Sequence, residues 1–89
     1  MSDDIDERAR ERQEAIALGP SLAERYGLTL WPARGGTLLD IGNQEYGWQL
    51  AEDAQGYVAY RVSRGNRSVI LRDSRLAPVL KAFRRALTR

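Results

Sequence analysis

Glycine-bearing turns at short intervals constrain the middle of this chain more than any other feature. Between Gly27 and Asp73 the sequence is broken at Pro32–Gly36, at Gly42-Asn43, at Asp53–Gly56 and at Gly65-Asn66. The stretches left between them, residues 28–31, 37–41, 45–52, 57–63 and 68–72, are four to eight residues long. That is the ordinary length of a β-strand and too short for a stable helix. The clearest alternation sets Tyr46, Trp48 and Leu50 against Gly47, Gln49 and Ala51, the period of two that a strand with one buried face requires. Strands joined in succession by turns this short pair antiparallel. The expected sheet is therefore a four- to five-stranded antiparallel β-meander.

The period changes on both flanks. Residues 3–18 read as a helix, with Ser2 or Asp3 as cap, acids in the first turn and Gly19-Pro20 as terminator. Its apolar stripe (Ile5, Ala9, Ile16, Leu18) is thin and is interrupted at Arg12 and Gln13. This describes a helix that is frayed or projecting, or that docks on something else, and not a coiled coil. Pro20 and Ser21 begin a second short helix, with Ser21 and Glu24 at capping-box spacing and Gly27 placed to end it. A last helix runs from about Ser74 to Leu87, with Asp73 or Ser74 as cap and Pro78 in or near its first turn. At 100° per residue, Leu76, Val79, Leu80, Phe83 and Leu87 share one side. Lys81, Arg84 and Arg85 lie opposite, with Arg89 extending them. The fold class expected is α+β: an N-terminal helix, the meander, and a C-terminal amphipathic helix packed on one sheet face. Residues 1–27 form an acidic helical segment, and residues 28–89 form the sheet and basic helix of one domain.

The Gly65-Asn66 pair suits a two-residue hairpin turn, since both residues accept positive φ. A turn centred there sets Arg64 opposite Arg67, Val62 opposite Val69, Arg61 opposite Ile70 and Tyr60 opposite Leu71. Val58, Tyr60, Val62, Val69 and Leu71 then form the core face. Tyr57, Arg61, Ile70 and Arg72 form the outer face, with Arg64 and Arg67 at the tip.

Charge is unevenly spread along the chain. Residues 1–27 carry four basic and seven acidic groups, residues 28–60 one and four, and residues 61–89 nine and one. The modest net charge of +2 thus hides a C-terminal third at +8, and segregation of this kind points to an anionic partner. Thirteen of the fourteen cations are arginine, whose planar fork grips phosphate or guanine at two points. The arginine, alanine and glycine content also suggests a GC-rich coding sequence, bacterial or phage in origin.

Other function classes are disfavoured by what is missing. The chain has no cysteine and no histidine, which removes disulfides, thiolate chemistry and the commonest general base and metal ligand. Asp40 with Glu45 reads as two solvated turn-flanking acids, and Ser63, Ser68 and Ser74 have no base to activate them. Arg34-Gly35-Gly36 lacks the lysine and hydroxyl of a phosphate loop. No catalytic residue, cofactor or metal site is expected. The longest apolar runs are four residues, far short of the ~20 needed to span a membrane, and the acidic N-terminus is unlike a signal peptide. A cytoplasmic protein is the expectation.

Residues 44–88, read as strand, turn, strand, tight turn, strand, helix, resemble the three-stranded-sheet DNA-binding domains. Examples are the plant-type AP2 domain and the N-terminal domains of some phage and transposon integrases. The resemblance implies a helix on one sheet face and the other face in the major groove, with Arg61 and Arg72 on the outer face and Arg64 and Arg67 at the hairpin tip. The chain departs from that pattern in the strand at 45–52, which has no arginine or lysine and ends in Glu52-Asp53. Two functional expectations follow. The first is a small nucleic-acid-binding accessory or regulatory protein using Arg61, Arg64, Arg67 and Arg72, with Lys81, Arg84 and Arg85 as a second basic surface. The acidic N-terminal helix would then compete in cis for the hairpin face. The alternative is a protein-interaction module, a phage-encoded modulator of a host protein or a self-associating homodimeric adaptor. It would contact an acidic partner, with Trp31 and Trp48 as contact aromatics.

Overall fold

A computed structural model describes residues 2–88, with side chains from Glu7 onward. The suggested caps Ser2 and Asp3, Ile5 of the first apolar stripe, and Arg89 lie outside the described side chains. The elements in chain order are α1 (Ser2–Ala17), α2 (Gly19–Tyr26), β1 (Thr29–Leu30), β2 (Thr37–Gly42), β3 (Tyr46–Asp53), β4 (Gly56–Ser63), β5 (Asn66–Asp73) and α3 (Leu76–Leu87).

The five strands form one open antiparallel sheet in the order β1-β2-β3-β4-β5, the expected meander. Two of the turns are closed by their own side chains. Asn43 Oδ1 accepts hydrogen bonds from the main-chain N–H groups of Glu45 and Tyr46, both at 2.8 Å. Asp53 Oδ1 accepts one from Gln55 N–H at 2.9 Å. Both are Asx turns, which asparagine and aspartate close through their own side chains.

All three helices lie on one face of the sheet. The core between the layers contains Leu39, Ile41, Leu50, Tyr57 and Ala59 from the strands and Leu76, Val79, Phe83 and Leu87 from α3. Ala15, Leu22 and Ala23 bring in α1 and α2. The apolar side read from the spacing of α3 is thus the side that is buried, and burial of such side chains contributes on the order of 1.5–3 kcal/mol each. No described helix is long and apolar enough to cross a membrane. α1 and α2 meet at Leu18, where Pro20 withholds an N–H from the ladder. Gly19 is buried there, and a Cβ on it would stand 3.0 Å from Leu30 Cδ1. α1 is otherwise tied down by an ion pair between Arg12 and Glu52 at 3.2 Å.

The hairpin register differs from the expected one. The turn is centred on Arg64-Gly65, with φ of 51° and 83°, and Ser63 pairs with Asn66, Val62 with Arg67, and Arg61 with Ser68. A bulge then follows, with Tyr60 opposite Val69 and Ala59 opposite Leu71, so that Ile70 is the extra residue. The faces are consequently inverted along β4 and along β5 as far as Ile70, whereas beyond the bulge Leu71 and Arg72 keep the sides expected of them. Tyr57, Ala59 and Arg61 point to the helix layer, together with Ile70 and Leu71 at the bulge. Val58, Tyr60, Val62, Arg67, Val69 and Arg72 point to the open face.

The physical reason lies one strand earlier. The turn that pairs Asp53 with Gly56 sets even-numbered residues of β3 opposite odd-numbered residues of β4: Leu50 with Ala59, Trp48 with Arg61. Trp48 and Leu50 are held inward by the core, so the odd-numbered residues of β4 must follow. Val58, Tyr60 and Val62 therefore point away from the helix layer despite their hydrophobicity, and Val58 is still only 1% exposed there.

Candidate functional site

The inversion redistributes the four hairpin arginines. Arg67 and Arg72 lie on the open face, Arg64 occupies the turn, and Arg61 joins the helix face. The expectation that Arg61 and Arg72 share an outer surface is therefore corrected: they are on opposite sides of the sheet.

On the open face, Tyr60 stands beside both cations. The Arg67 guanidinium lies 4.1 Å from the centre of its ring. Arg72 donates to Asp53 Oδ2 at 2.6 Å. Arg72 holds the Asp53 carboxyl below its ordinary value, with the Gln55 N–H assisting, and Asp53 in turn pushes Arg72 up. Arg72 is thus largely engaged within the chain. Toward the turn the same face has a shallow cleft of about 320 Å³, bordered by Trp31, Asp40, Glu45, Gln49, Val62 and Arg64. Asp40 and Glu45 face into the surface that Arg64 would offer to an anion. Asp40 also accepts from Gln49 Nε2 at 3.5 Å.

The helix face has a different character. α3 covers the sheet only in part, and between its flank and the β4–β5 end of the sheet lies a cleft of about 600 Å³. Trp48, Ile70, Leu71, Pro78, Ala82 and Ala86 give it an apolar lining. Arg61 from β4 and Lys81 and Arg85 from α3 supply its charge. Each position has a local cause. Lys81 and Arg85 are one turn apart and project on the same side of α3. Pro78 falls at the third residue of the helix, where no N–H is required from it. The bulge at Ile70 turns both Ile70 and Leu71 toward the cleft. Arg61 is fixed directly opposite Trp48, and its guanidinium lies 5.8 Å from the centre of the Tyr46 ring.

The other flank of α3 continues this charge. Arg25 and Tyr26 of α2 face Lys81, Arg84 and Arg85 across a groove of about 480 Å³, and Arg25 lies 5.7 Å from the Tyr26 ring centre. Among the described residues, neither the cleft nor this groove is lined by a carboxylate. The ion pairs found involve Arg12, Arg72 and Arg75 instead. The structure therefore joins what the sequence kept apart: Arg61 of the hairpin set, Lys81 and Arg85 of the helix set, and Trp48. It also separates the two tryptophans. Trp48 is half-buried against the core, whereas Trp31 is 40% exposed beside the short edge strand β1. Arg25 and Tyr26 were missed as site residues because nothing in their spacing connects them to α3.

Chemically the cleft can bind and position an anion, and its mixed lining can cover an apolar or aromatic group. No cluster of three or more metal-capable side chains occurs among the described residues. The shifted groups Asp53, Tyr57 and Arg72 all lie outside the cleft. No protein-family model matches the chain, and neither a curated protein nor a solved structure shows significant similarity to it.

Proposed function

We propose that this is a non-catalytic nucleic-acid-binding protein of the accessory or regulatory kind, whose main contact surface is the α3 flank and its cleft. The carrying observation is the convergence of Arg61, Lys81 and Arg85 around Trp48, with Arg25 and Arg84 continuing the charge and no described carboxylate in the lining. The hairpin face that the topology first suggested is the weaker surface, because Arg72 is paired with Asp53 and Arg64 is flanked by Glu45 and Asp40.

Phosphates neutralised by these cations release counterions, so affinity falls with salt at a log–log slope of about −0.7 to −0.9 per phosphate. Equilibrium binding of labelled oligonucleotides across a salt series tests this. The triple variant R61A/K81A/R85A is expected to lose at least about tenfold in affinity at low salt and to flatten the slope by about 2–3. The double variant R64A/R67A is expected to change little. Absence of binding at low salt, or an equal loss in the two variants, would overturn the reading.

A second reading has its own observation. β5 is an edge strand with Val69 57% and Leu71 36% exposed, a surface suited to accepting a strand from an acidic partner protein. Proline at position 69 would remove an edge N–H and weaken that association while leaving phosphate binding intact.

A further inference from the structure

The charged rim of the cleft and its apolar floor make different demands on a ligand. Phosphates satisfy Arg61, Lys81 and Arg85, yet they gain nothing from Trp48, Ile70, Leu71 or Pro78. A ligand that uses the whole cleft must carry a flat apolar group next to its negative charge. In duplex nucleic acid the base faces are hidden in the stack, and only phosphates and groove edges are offered. In a single strand the bases are free to leave the stack and lie on aromatic side chains.

We propose that the cleft takes single-stranded nucleic acid, one base lying against Trp48 while the flanking phosphates meet Arg61 on one wall and Lys81 and Arg85 on the other. This rests on the nucleic-acid reading above and sharpens its substrate class. A cleft of about 600 Å³ is within the range that encloses compact ligands. Arg61 is held ready by its place opposite Trp48 and its contact with Tyr46. The ring of Tyr46, 38% exposed, lies next along β3 on the same face and extends the aromatic surface toward the turn.

The lining also says what the protein does not read. Among the described residues, the cleft's lining offers no hydrogen-bonding side chain apart from its cations and the indole N–H: no asparagine, glutamine, serine, threonine or acid. Base edges and a 2′-hydroxyl therefore meet few specific partners. Binding is tolerant of sequence and treats DNA and RNA strands alike, as expected where stacking and phosphate contacts dominate.

The test uses the full chain carrying W31F, which leaves Trp48 as its sole tryptophan. A short thymidine DNA strand, the equivalent uridine RNA strand, a duplex of equal phosphate count and a polyglutamate peptide are titrated at one fixed salt concentration. The expected results are quenching of Trp48 fluorescence by both single strands and an affinity for them at least about tenfold above that for the duplex. Measured with labelled oligonucleotides across a salt series, W48L should cost about tenfold for single strands, leave the salt slope unaltered and spare duplex binding. W48F, which keeps an aromatic face and the packing, should retain most of the affinity, and it serves if W48L does not fold by circular dichroism. Duplex binding as tight as single-strand binding, or no change in Trp48 emission, overturns the single-strand inference while the nucleic-acid reading stands. Polyglutamate binding as tightly as the strands overturns both, as does absence of binding to any nucleic acid at low salt.

Discussion

Tyr57 places a phenol in the core, near the Glu52 carboxylate but without a close hydrogen bond among the described residues. The residue is 3% exposed on the helix face, and its Oη has no hydrogen-bond partner among the described residues. Burial first, and then the neighbouring Glu52 carboxylate, push its pKa above the ordinary 10.0. An unpaired buried hydroxyl contributes desolvation cost without a bond to offset it. Tyr57→Phe is therefore expected to leave stability unchanged or raise it by up to about 1 kcal/mol in urea unfolding at neutral pH. The folded protein holds the phenolic proton more tightly than the unfolded chain, so this residue's share of stability is intact below pH 10.0 and is lost as the pH rises beyond it. Thermal melts from about pH 8 to about pH 11 should show a shallower alkaline decline in the phenylalanine variant. Asp53 has the opposite sign. Arg72 lowers its pKa from the ordinary 3.8, so the contribution of the pair is present above that value and disappears as the pH falls through the lowered one. Asp53→Asn should reduce the acid-side loss in low-salt melts, and an unaltered acid profile would mean that the pair contributes nothing to folding.

At the scale of the element, the β4–β5 hairpin shows both what a sequence discloses and what it withholds. Strand existence followed from turn chemistry and alternation, and every expected strand is found within two residues of its place. The stripe Leu76, Val79, Phe83 and Leu87 correctly gave the buried side of α3. The facing of β4 was not legible from β4 itself, because its strongest apolar set, Val58, Tyr60 and Val62, points away from the helices. Only the parity of the Asp53–Gly56 turn, carried over from Trp48 and Leu50, settles it. The Arg61–Lys81–Arg85 grouping depended on that parity as well as on the packing of α3, so the site was legible as residue types and not as a place. The turn itself makes a testable statement. Arg64 holds a φ of 51°, a left-handed conformation that costs an ordinary L-residue roughly 1–2 kcal/mol and that asparagine tolerates far better. Arg64→Asn should stabilise the protein by about 0.5–1 kcal/mol in denaturant unfolding. Because the turn lies outside the α3 cleft, the same change should leave single-strand affinity within about twofold at moderate salt. A stability gain accompanied by a large loss of binding would return the contact surface to the hairpin tip.

At the scale of the whole molecule, the question is how a chain with an acidic first third keeps a basic surface free. The described part of α1 does not line the cleft; it is fixed to the sheet by Ala15 in the core and by Arg12 on Glu52. Glu52 pairs with Tyr57, and Trp48 with Arg61, so the anchor and the Trp48–Arg61 pair of the cleft are separated by four residues along each strand, about 13 Å. Glu11 is close enough to Tyr57 to bear on its ionisation, which puts this acid at the anchor end. At physiological ionic strength fields decay over about 8 Å, and at 0.01 M over about 30 Å. Neutralising Glu7, Glu11 and Glu14 together to glutamine is accordingly expected to alter single-strand affinity by less than about twofold at 0.15 M salt and to raise it several-fold at 0.01 M. The competing idea is that the acidic helix screens the basic surface by direct contact. It demands a large gain at both salt concentrations, because a contact pair is much less sensitive to screening than charges more than a Debye length apart. The ratio of the two affinity changes, measured on one variant, decides between them. The distance-limited outcome is the one expected of a molecule whose Arg12–Glu52 anchor and Trp48–Arg61 pair stand four residues apart on the same two strands.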